Sequence, residues 1–478
     1  MAQAQIGIIE WVRRGPVDLQ SRSMSASTHH IVWFRRDLRL GDNPAWAAAT
    51  QSAEEVTALF VLDAQLFDRA GPFRQAALVA HLQALDAQLI ERGGRLRVEA
   101  GDPVVVVAAL ADELRAERVH WNSDTTPYAV RRDQGVLEQL GERASTHWGL
   151  FVHEPGKVLT QKGTLSRVFT PFSKVWERTE MSPWAEGEGT AAIAADPGHG
   201  IPAADGADEY PGGEEAARTR LHEFLHRIDD YLETRDFPAV TGTSMLSGDL
   251  RFGTLSPREI AATVGETTDG RRGFVRQLAW RDWYAHLLLE NPTMPNAAIR
   301  PEYDRVAWRD DPVEFEAWKH GQTGFPIVDA GMRQLLHTGW MHNRVRMIVG
   351  SFLVKDLLID WRKGERWFRH LLVDADMSQN VGNWQWVAGC GTDAAPYFRI
   401  FNPWTQSRKF DAAGEYIREW VPELAGLNKK QIHEPAAAAP LDLAAAGVVL
   451  GDTYPYPIVD HAFARDRVLA AYKKALGK

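Results

Sequence analysis

The chain has 478 residues, 45% of them hydrophobic and 24% charged, and a formal net charge of −9. This length suits two or three hydrophobic cores, the composition excludes disordered and fibrous proteins, and no apolar run is long enough to cross a bilayer. The single cysteine, Cys390, excludes an intramolecular disulfide and a Cys-ligated zinc or iron–sulfur site, so we expect a cytoplasmic protein without a metal.

Residues 1–28 lack the long apolar core and cleavage site of a signal peptide, and we predict a flexible tail. In residues 29–152, short β-branched runs alternate with amphipathic stretches, as in βαβ units on a parallel sheet. Residues 153–213 are rich in Gly, Pro, Ala and acidic side chains, which predicts a surface linker. Helical periodicity dominates residues 214–478. The predicted fold is therefore a Rossmann-like α/β domain, a long linker and an all-α domain.

Basic side chains are locally dense in the C-terminal part of the chain despite the negative net charge. Arginine and lysine are dense from Arg344 to Arg369 and recur at Arg399, Arg408 and Lys409. A solvated basic face is the simplest interpretation. Nucleic-acid binding stays possible because a groove needs only local positive potential.

Several ordered strings resemble the DNA photolyase/cryptochrome family. They are WFRRDLRLGDNPA (Trp33 to Ala45), the stretch from Thr323 to Trp361, GERWF, DADMSQNVGNWQW, and DAAPYFRIFNPWTQSRKFD. The similarity runs from about residue 30 to the C-terminus and is greatest to class I-type cyclobutane pyrimidine dimer photolyases. It implies a monomeric lyase in which excited, reduced FAD donates an electron to a flipped-out dimer in UV-damaged DNA.

The string GTSMLS (Gly242 to Ser247) offers hydroxyls and backbone N–H groups for a pyrophosphate. The resemblance implies that Arg346 pairs with Asp374 and that Asn380 lies beside flavin N5. Helix capping is the structural alternative for Asp374 and Asp376. The implied FAD-binding residues are Tyr231, Thr243, Ser244, Met245, Leu246, Ser247, Phe274, Arg346, Asp374, Ala375, Asp376 and Asn380.

A repair site must accept a base that has left the stack, between apolar walls and under a basic rim. The resemblance gives the walls to Trp280 and Trp386, with Asn343 and Met347 on one helix face; these two favour a cyclobutane dimer over a (6-4) photoproduct. The implied catalytic residues are Gln277, Trp280, Asn343, Met347, Asn380 and Trp386. The implied DNA-binding residues are Arg235, Gln277, Trp280, Arg281, Tyr284, Asn343, Arg344 and Arg399.

Gln277 departs from the family pattern, which has a glutamate that bonds the dimer. A glutamine amide can donate and accept hydrogen bonds, but it supplies neither a proton nor a charge. Binding should therefore survive this change. Gln277 also keeps open a second interpretation, a cryptochrome-like photoreceptor with weak or no repair. A generic α/β nucleotide-binding protein is the third, and it leaves the C-terminal strings unexplained.

Two further features come from the resemblance. Trp384, Trp361 and Trp308 match the family's electron-hopping chain from flavin to surface, whereas Trp318 is expected to be structural. Folate-binding members carry an Asn-Glu pair where this chain has Tyr128 and Ala129. A second, antenna chromophore is therefore expected to be a deazaflavin rather than folate, with Asp124 as a contact, while FMN or an empty site stay open.

Overall fold

The computed structural model describes residues 28–185 and 187–477. The predicted tail therefore lies outside the described residues, apart from Thr28. Among the described residues, no helix is both long and apolar enough to span a membrane.

The N-terminal domain is a parallel sheet with helices, as the alternating pattern predicts. Its elements are β1 (His29–Phe34), α1 (Pro44–Ser52), β2 (Glu55–Leu62), α2 (Ala64–Arg69), α3 (Pro72–Glu91), β3 (Leu96–Ala100), α4 (Pro103–Glu113), β4 (Arg118–Asn122), α5 (Pro127–Leu140) and β5 (Ala144–His147). The strand order is β3-β2-β1-β4-β5. Helices α1, α4 and α5 each start with a capping side chain followed by proline, which satisfies the first backbone N–H groups.

Residues 153–213 are more ordered than the predicted surface linker. They contain α6 (Phe169–Trp176) and β6 (Ala192–Ile193), which pairs in parallel with the start of β2. The pairing uses backbone bonds, including Ala192 N to the Glu54 carbonyl at 2.8 Å, and such bonds leave no mark on the side-chain pattern. The domain limits themselves remain a prediction.

The C-terminal domain is helical, and its largest core extends from Leu288 to Ala475. Its helices are α7 (Gly213–Leu225), α8 (Tyr231–Thr234), α9 (Ser247–Phe252), α10 (Pro257–Val264), α11 (Asp269–Glu290), α12 (Pro312–Lys319), α13 (Pro326–Thr338), α14 (Asn343–Ser351), α15 (Trp361–Leu371), α16 (Met377–Ala388), α17 (Pro403–Phe410), α18 (Glu415–Trp420), α19 (Pro440–Ala445) and α20 (His461–Ala475). A π-helical turn, Phe352–Asp356, follows α14. Helices α11 and α14 both pack against α16, and the three helices carry most of the predicted site.

The two domains meet closely after β1. Gly253 ends α9 with a φ of 66°, and a Cβ atom there would lie 2.0 Å from the Arg36 carbonyl oxygen. Leu38 N donates to the Phe252 carbonyl at 3.1 Å, and Arg39 donates to the Gly253 carbonyl at 2.9 Å. A glycine at this helix end therefore allows the loop after β1 to pack directly against the helical domain.

Candidate functional site

The loop of residues 242–247 lies between α8 and α9 and suits a phosphate ligand. Within the described part of the chain, the Thr243 hydroxyl makes one polar contact, at 3.6 Å to Met245 Sδ. Arg227 donates from Nη2 to the Thr243 carbonyl at 3.4 Å, while its buried Nε has no hydrogen-bond partner and its guanidinium has no carboxylate partner among the described residues. Arg227 also donates from Nη1 to the Glu223 carbonyl at 2.9 Å. Hydroxyls beside an arginine that has no ion pair are a donor set that fits the pyrophosphate of FAD.

Other predicted cofactor residues lie in one buried cluster. The Tyr231 and Phe274 rings meet edge to face at 5.4 Å, and Leu246 belongs to the same cluster. The Arg235 guanidinium lies 5.3 Å from the centre of the Tyr231 ring. The cluster gives the loop of residues 242–247 an apolar support and leaves Met245 and Ser247 exposed.

Arg346 and Asp374 form the predicted ion pair. Two hydrogen bonds of 3.1 and 2.8 Å join the guanidinium to the carboxylate, and Arg346 Nε donates to the Met341 carbonyl at 2.7 Å. The neighbouring Ala375 carbonyl accepts from Arg251 Nε at 2.8 Å. The segment before α16 is thus held by arginines on both sides.

Asp376 lies at the contact between the two domains and caps α16, which is the structural alternative that the sequence left open. Its carboxylate pairs with Arg36 of the N-terminal domain and with the Ser378 hydroxyl, and it caps α16 by accepting from Gln379 N at 3.1 Å. Arg36 also pairs with Asp124 at 3.2 Å. Burial alone would raise the pKa of Asp376, yet Arg36 and Arg281 hold it below its usual range. The side chain therefore joins the two domains as an anion.

Asn380 is oriented by a buried glutamate that the sequence analysis did not identify. Its Nδ2 donates to the carbonyl and to Oε1 of Glu365, both at 3.0 Å. Glu365 is also paired with Arg369 at 3.1 Å. Since its amide Nδ2 bonds Glu365, Asn380 Oδ1 keeps its capacity to accept a hydrogen bond.

Trp280 and Trp386 are both half-buried, as pocket walls must be. One face of Trp280 stacks on Phe169 of α6, with ring centres 3.6 Å apart and planes inclined by 13°. On α14, Asn343 is exposed and its Nδ2 lies 4.0 Å from Met347 Sδ. Gln277 Nε2 donates to the Gly273 carbonyl of its own helix at 3.0 Å, which leaves the amide oxygen available.

The predicted basic rim is only partly formed. Arg344 pairs with Asp236 at 2.8 Å, next to Arg235, and Arg399 is exposed with no ion pair among the described residues.

Two predicted DNA-binding residues point inward instead. Arg281 donates to the Leu150 and Leu250 carbonyls at 2.6 and 3.2 Å, and Tyr284 is buried against Gly382 of α16, where a Cβ atom would lie 2.2 Å from its ring. Helix-surface patterns cannot distinguish these residues from rim residues, because α11 is covered on several sides.

The three tryptophans of the predicted chain run from the core toward the surface. Trp384 and Trp361 are buried and Trp308 is half-exposed. Trp384 packs against Gly364 of α15, one turn after Trp361 begins that helix, and its ring is 5.1 Å from Phe368. Trp318 donates to the Val349 carbonyl at 3.0 Å and lies 6.3 Å from Trp384. Trp318 is thus a core residue, as predicted, which also contacts the first member of the chain.

The predicted antenna residues have partners within the protein. The Tyr128 hydroxyl donates to Asp63, and the Arg132 guanidinium lies 5.6 Å from the Tyr128 ring centre. Asp124 pairs with Arg36 and accepts from Thr125 N at 2.6 Å, so its carboxylate serves the contact between domains. In the part of the chain that the structure describes, no group of His, Cys, Asp or Glu side chains is arranged to hold a metal.

Sequence reasoning missed Arg36, Glu365, Phe169 and Asp236, each of which contacts a predicted residue. Arg36 belongs to the WFRRDLRL string, so the motif could have indicated it. Glu365 belongs to the GERWF string, which likewise could have indicated it. Phe169 and Asp236 carry no local signal, because their contacts join segments that are distant in sequence.

The fold and site define a two-domain protein with a flavin-binding helical domain. The protein-family model described as "DNA photolyase" matches residues 30–189, and the family model described as "FAD binding domain of DNA photolyase" matches residues 274–474. The chain is 42% identical over 469 residues to the deoxyribodipyrimidine photo-lyase of Agrobacterium fabrum, covering 92% of this chain and 97% of that protein. This chain belongs to the DNA photolyase family, and its cofactor is FAD.

Solved structures agree with this assignment. A bacterial class III photolyase from Agrobacterium tumefaciens superposes with a TM-score of 0.86 at 40% identity, covering 95% of this chain and 99% of that one. A cryptochrome from Synechocystis gives a TM-score of 0.85 at 31% identity, covering 94% and 100%. The predicted class I subtype stays a prediction.

Proposed function

We propose that this protein cleaves cyclobutane pyrimidine dimers in UV-damaged DNA with light. The observation that carries the proposal is the arrangement of three helices, with α11 and α14 both packed against α16. The half-buried Trp280 lies on α11, Asn343 and Met347 lie on α14, and Asn380 and the half-buried Trp386 lie on α16. Relatives of similar length, including that of Agrobacterium fabrum, are named deoxyribodipyrimidine photo-lyases.

The tryptophan faces bind a flipped-out dimer, and Asn343 and Met347 contact it from one helix turn. When bound and reduced, FAD would provide the light-excited electron donor of the reaction. One electron enters the dimer, the two cyclobutane carbon–carbon bonds break, and one electron returns, so no net oxidant or reductant is needed. Asn380, oriented by Glu365, directs its free Oδ1 toward the cofactor site. Trp384, Trp361 and Trp308 would pass electrons inward from an external reductant at the surface to an oxidised cofactor.

The second chromophore is proposed to be a deazaflavin. Tyr128 bonds Asp63, and Ala129 is buried with no polar group, so neither position offers the amide and carboxylate of folate-binding members. The absorption spectrum of the purified protein distinguishes the two pigments. We further propose that the protein acts as a monomer in the cytoplasm.

The test is to illuminate the reduced protein with an oligonucleotide that carries one cyclobutane thymine dimer. Loss of the dimer under blue or near-UV light, and not in the dark, is the expected result. An oligonucleotide that carries a (6-4) photoproduct instead is the matched control, and its lesion should remain unrepaired. Intact dimers in the presence of bound, reduced FAD would favour the photoreceptor instead.

A further inference from the structure

Residues 153–176 belong to the stretch that the sequence predicts as a surface linker, yet they pack along α11. Trp283 Nε1 of α11 donates to the Ser166 carbonyl at 2.8 Å. Trp176, at the end of α6, donates from Nε1 to the buried carboxylate of Asp282 at 2.9 Å. Helix α6 is thus fixed against the helix that carries one wall of the lesion site.

The ring of Phe169, the first residue of α6, lies against two side chains of α11. Trp280 stacks on it with ring centres 3.6 Å apart and planes inclined by 13°. The guanidinium of Arg276, one helical turn before Trp280, lies over the Phe169 ring at 5.3 Å from its centre. Phe169 itself is 2% exposed, so it is covered from solvent and cannot contact DNA directly.

The backbone of Phe169 is held by a segment that is distant in sequence. Phe169 N donates to Asp393 Oδ2 at 3.0 Å, while the preceding residue, Val168, offers no side-chain cap to α6. Asp393 has a φ of 50° and lies in the loop after α16, the helix of Trp386. Aspartate tolerates this left-handed conformation better than most residues. Phe169 is therefore tied through its ring to one tryptophan wall and through its backbone to the segment that follows the other.

These contacts limit the position of the Trp280 indole. Phe169 occupies one face of the indole, and Trp283 and Tyr284 lie 5.2 and 5.6 Å from its ring centre. An indole on a helix surface otherwise turns between staggered rotamers. Since one face is already stacked, a flipped-out base can stack only on the opposite face, in a plane that Phe169 sets in advance.

We propose that Phe169 is a positioning residue that, through Trp280, makes the site prefer a cyclobutane dimer to undamaged bases. The proposal rests on the proposed function and adds the residue that fixes one wall of its site. Two cyclobutane bonds lock the bases of a dimer at one mutual angle, so the dimer cannot adapt to a wall that moves. A wall held in place before binding avoids the cost of ordering it. Undamaged bases gain less from this wall, because they must first be unpaired and unstacked one at a time.

The test compares Phe169→Leu with Phe172→Leu. Both substitutions remove a buried ring from α6, but Phe169 stacks on Trp280, whereas Phe172 meets His286 edge to face at 5.8 Å. Dissociation constants are measured in the dark for a duplex with one cyclobutane thymine dimer and for the same duplex without it. Phe169→Leu should weaken binding of the dimer duplex by about 3- to 10-fold, the contribution of one aromatic stack, and leave binding of the undamaged duplex unchanged.

Phe172→Leu should keep the wild-type ratio of the two dissociation constants. Under light, Phe169→Leu should raise the dimer concentration for half-maximal repair and keep the repair yield of bound dimer, because Phe169 acts through a wall and not on the reacting bonds. Unfolding temperature and flavin content show that both variants are folded. An unchanged ratio for Phe169→Leu, an equal loss for both duplexes, or the same change in Phe172→Leu would overturn the proposal. Dark binding that prefers the dimer, without repair by the wild type under light, would instead overturn the proposed function.

Discussion

Gln277 occupies the position where the family pattern has a glutamate, and its amide donates to the Gly273 carbonyl. In a Gln277→Glu variant the carboxylate cannot donate to that carbonyl, so it should turn toward the lesion site. We expect a higher repair yield and a smaller change in DNA affinity. Quantum yield and dissociation constant, measured on the same dimer-containing duplex, check this. A large change in affinity at constant yield would contradict it.

Gly364 controls the position of Trp384. A Cβ atom at residue 364 would lie 2.2 Å from the Trp384 ring, whereas one at Gly350 would touch the same ring at an ordinary 3.6 Å. Gly364→Ala should therefore displace the indole, cost about 1–3 kcal/mol, and slow photoreduction of the flavin.

Gly350→Ala is the matched control for this change. It should keep the photoreduction rate and stabilise its helix by up to about 1 kcal/mol. Transient absorption of the oxidised protein with an external donor measures both rates. Equal rates for the two variants would argue against Trp384 as the first donor.

Between elements, Arg36 pairs with Asp124 and Asp376, and this Arg36 cluster joins the loop after β1 to the start of α16. Arg36→Gln leaves Asp124 and Asp376 buried without their main cation, so the free energy of unfolding should fall by about 3–5 kcal/mol. FAD affinity should fall as well, because Asp376 starts the helix that carries Asn380. Denaturant unfolding and flavin release measure the two effects.

An exposed ion pair serves as the control for the Arg36 variant. Arg272 and Asp269, on the first turn of α11, are paired in solvent, and Arg272→Gln should cost no more than about 1 kcal/mol. Similar losses in both variants would mean that the Arg36 cluster is not what holds the two domains together.

For the whole molecule, buried histidines predict sensitivity to acid. Burial lowers the pKa of His81 to about 3, and its Nδ1 accepts from Gly213 N at 3.0 Å. Burial likewise lowers the pKa of His120 to about 3 and those of His153, His286 and His342 to about 4. Each folded-state pKa lies below the unfolded value near 6.5, so protons bind the unfolded chain first.

The free energy of unfolding should therefore be highest above pH 6.5 and should decrease as the pH falls toward 4. Each such histidine should lower the free energy of unfolding by up to about 1.4 kcal/mol for each pH unit of this decrease. His81→Asn should be less stable at pH 7 and should show a shallower fall, while His337→Asn, at an exposed position, should follow the wild type. Denaturant unfolding at several pH values measures this. A His81→Asn profile parallel to that of the wild type would contradict the assignment.

The sequence by itself determined the α/β and helical domains, the family and the Arg346–Asp374 pair, because periodicity and ordered motifs are properties of the chain. It did not determine that Asp376 pairs with Arg36, that Glu365 orients Asn380, or that Arg281 and Tyr284 point inward. Nor did it predict that β6 joins the sheet. These contacts join segments that are far apart in sequence, and burial depends on what covers a residue from elsewhere. Only the tertiary structure could therefore decide them.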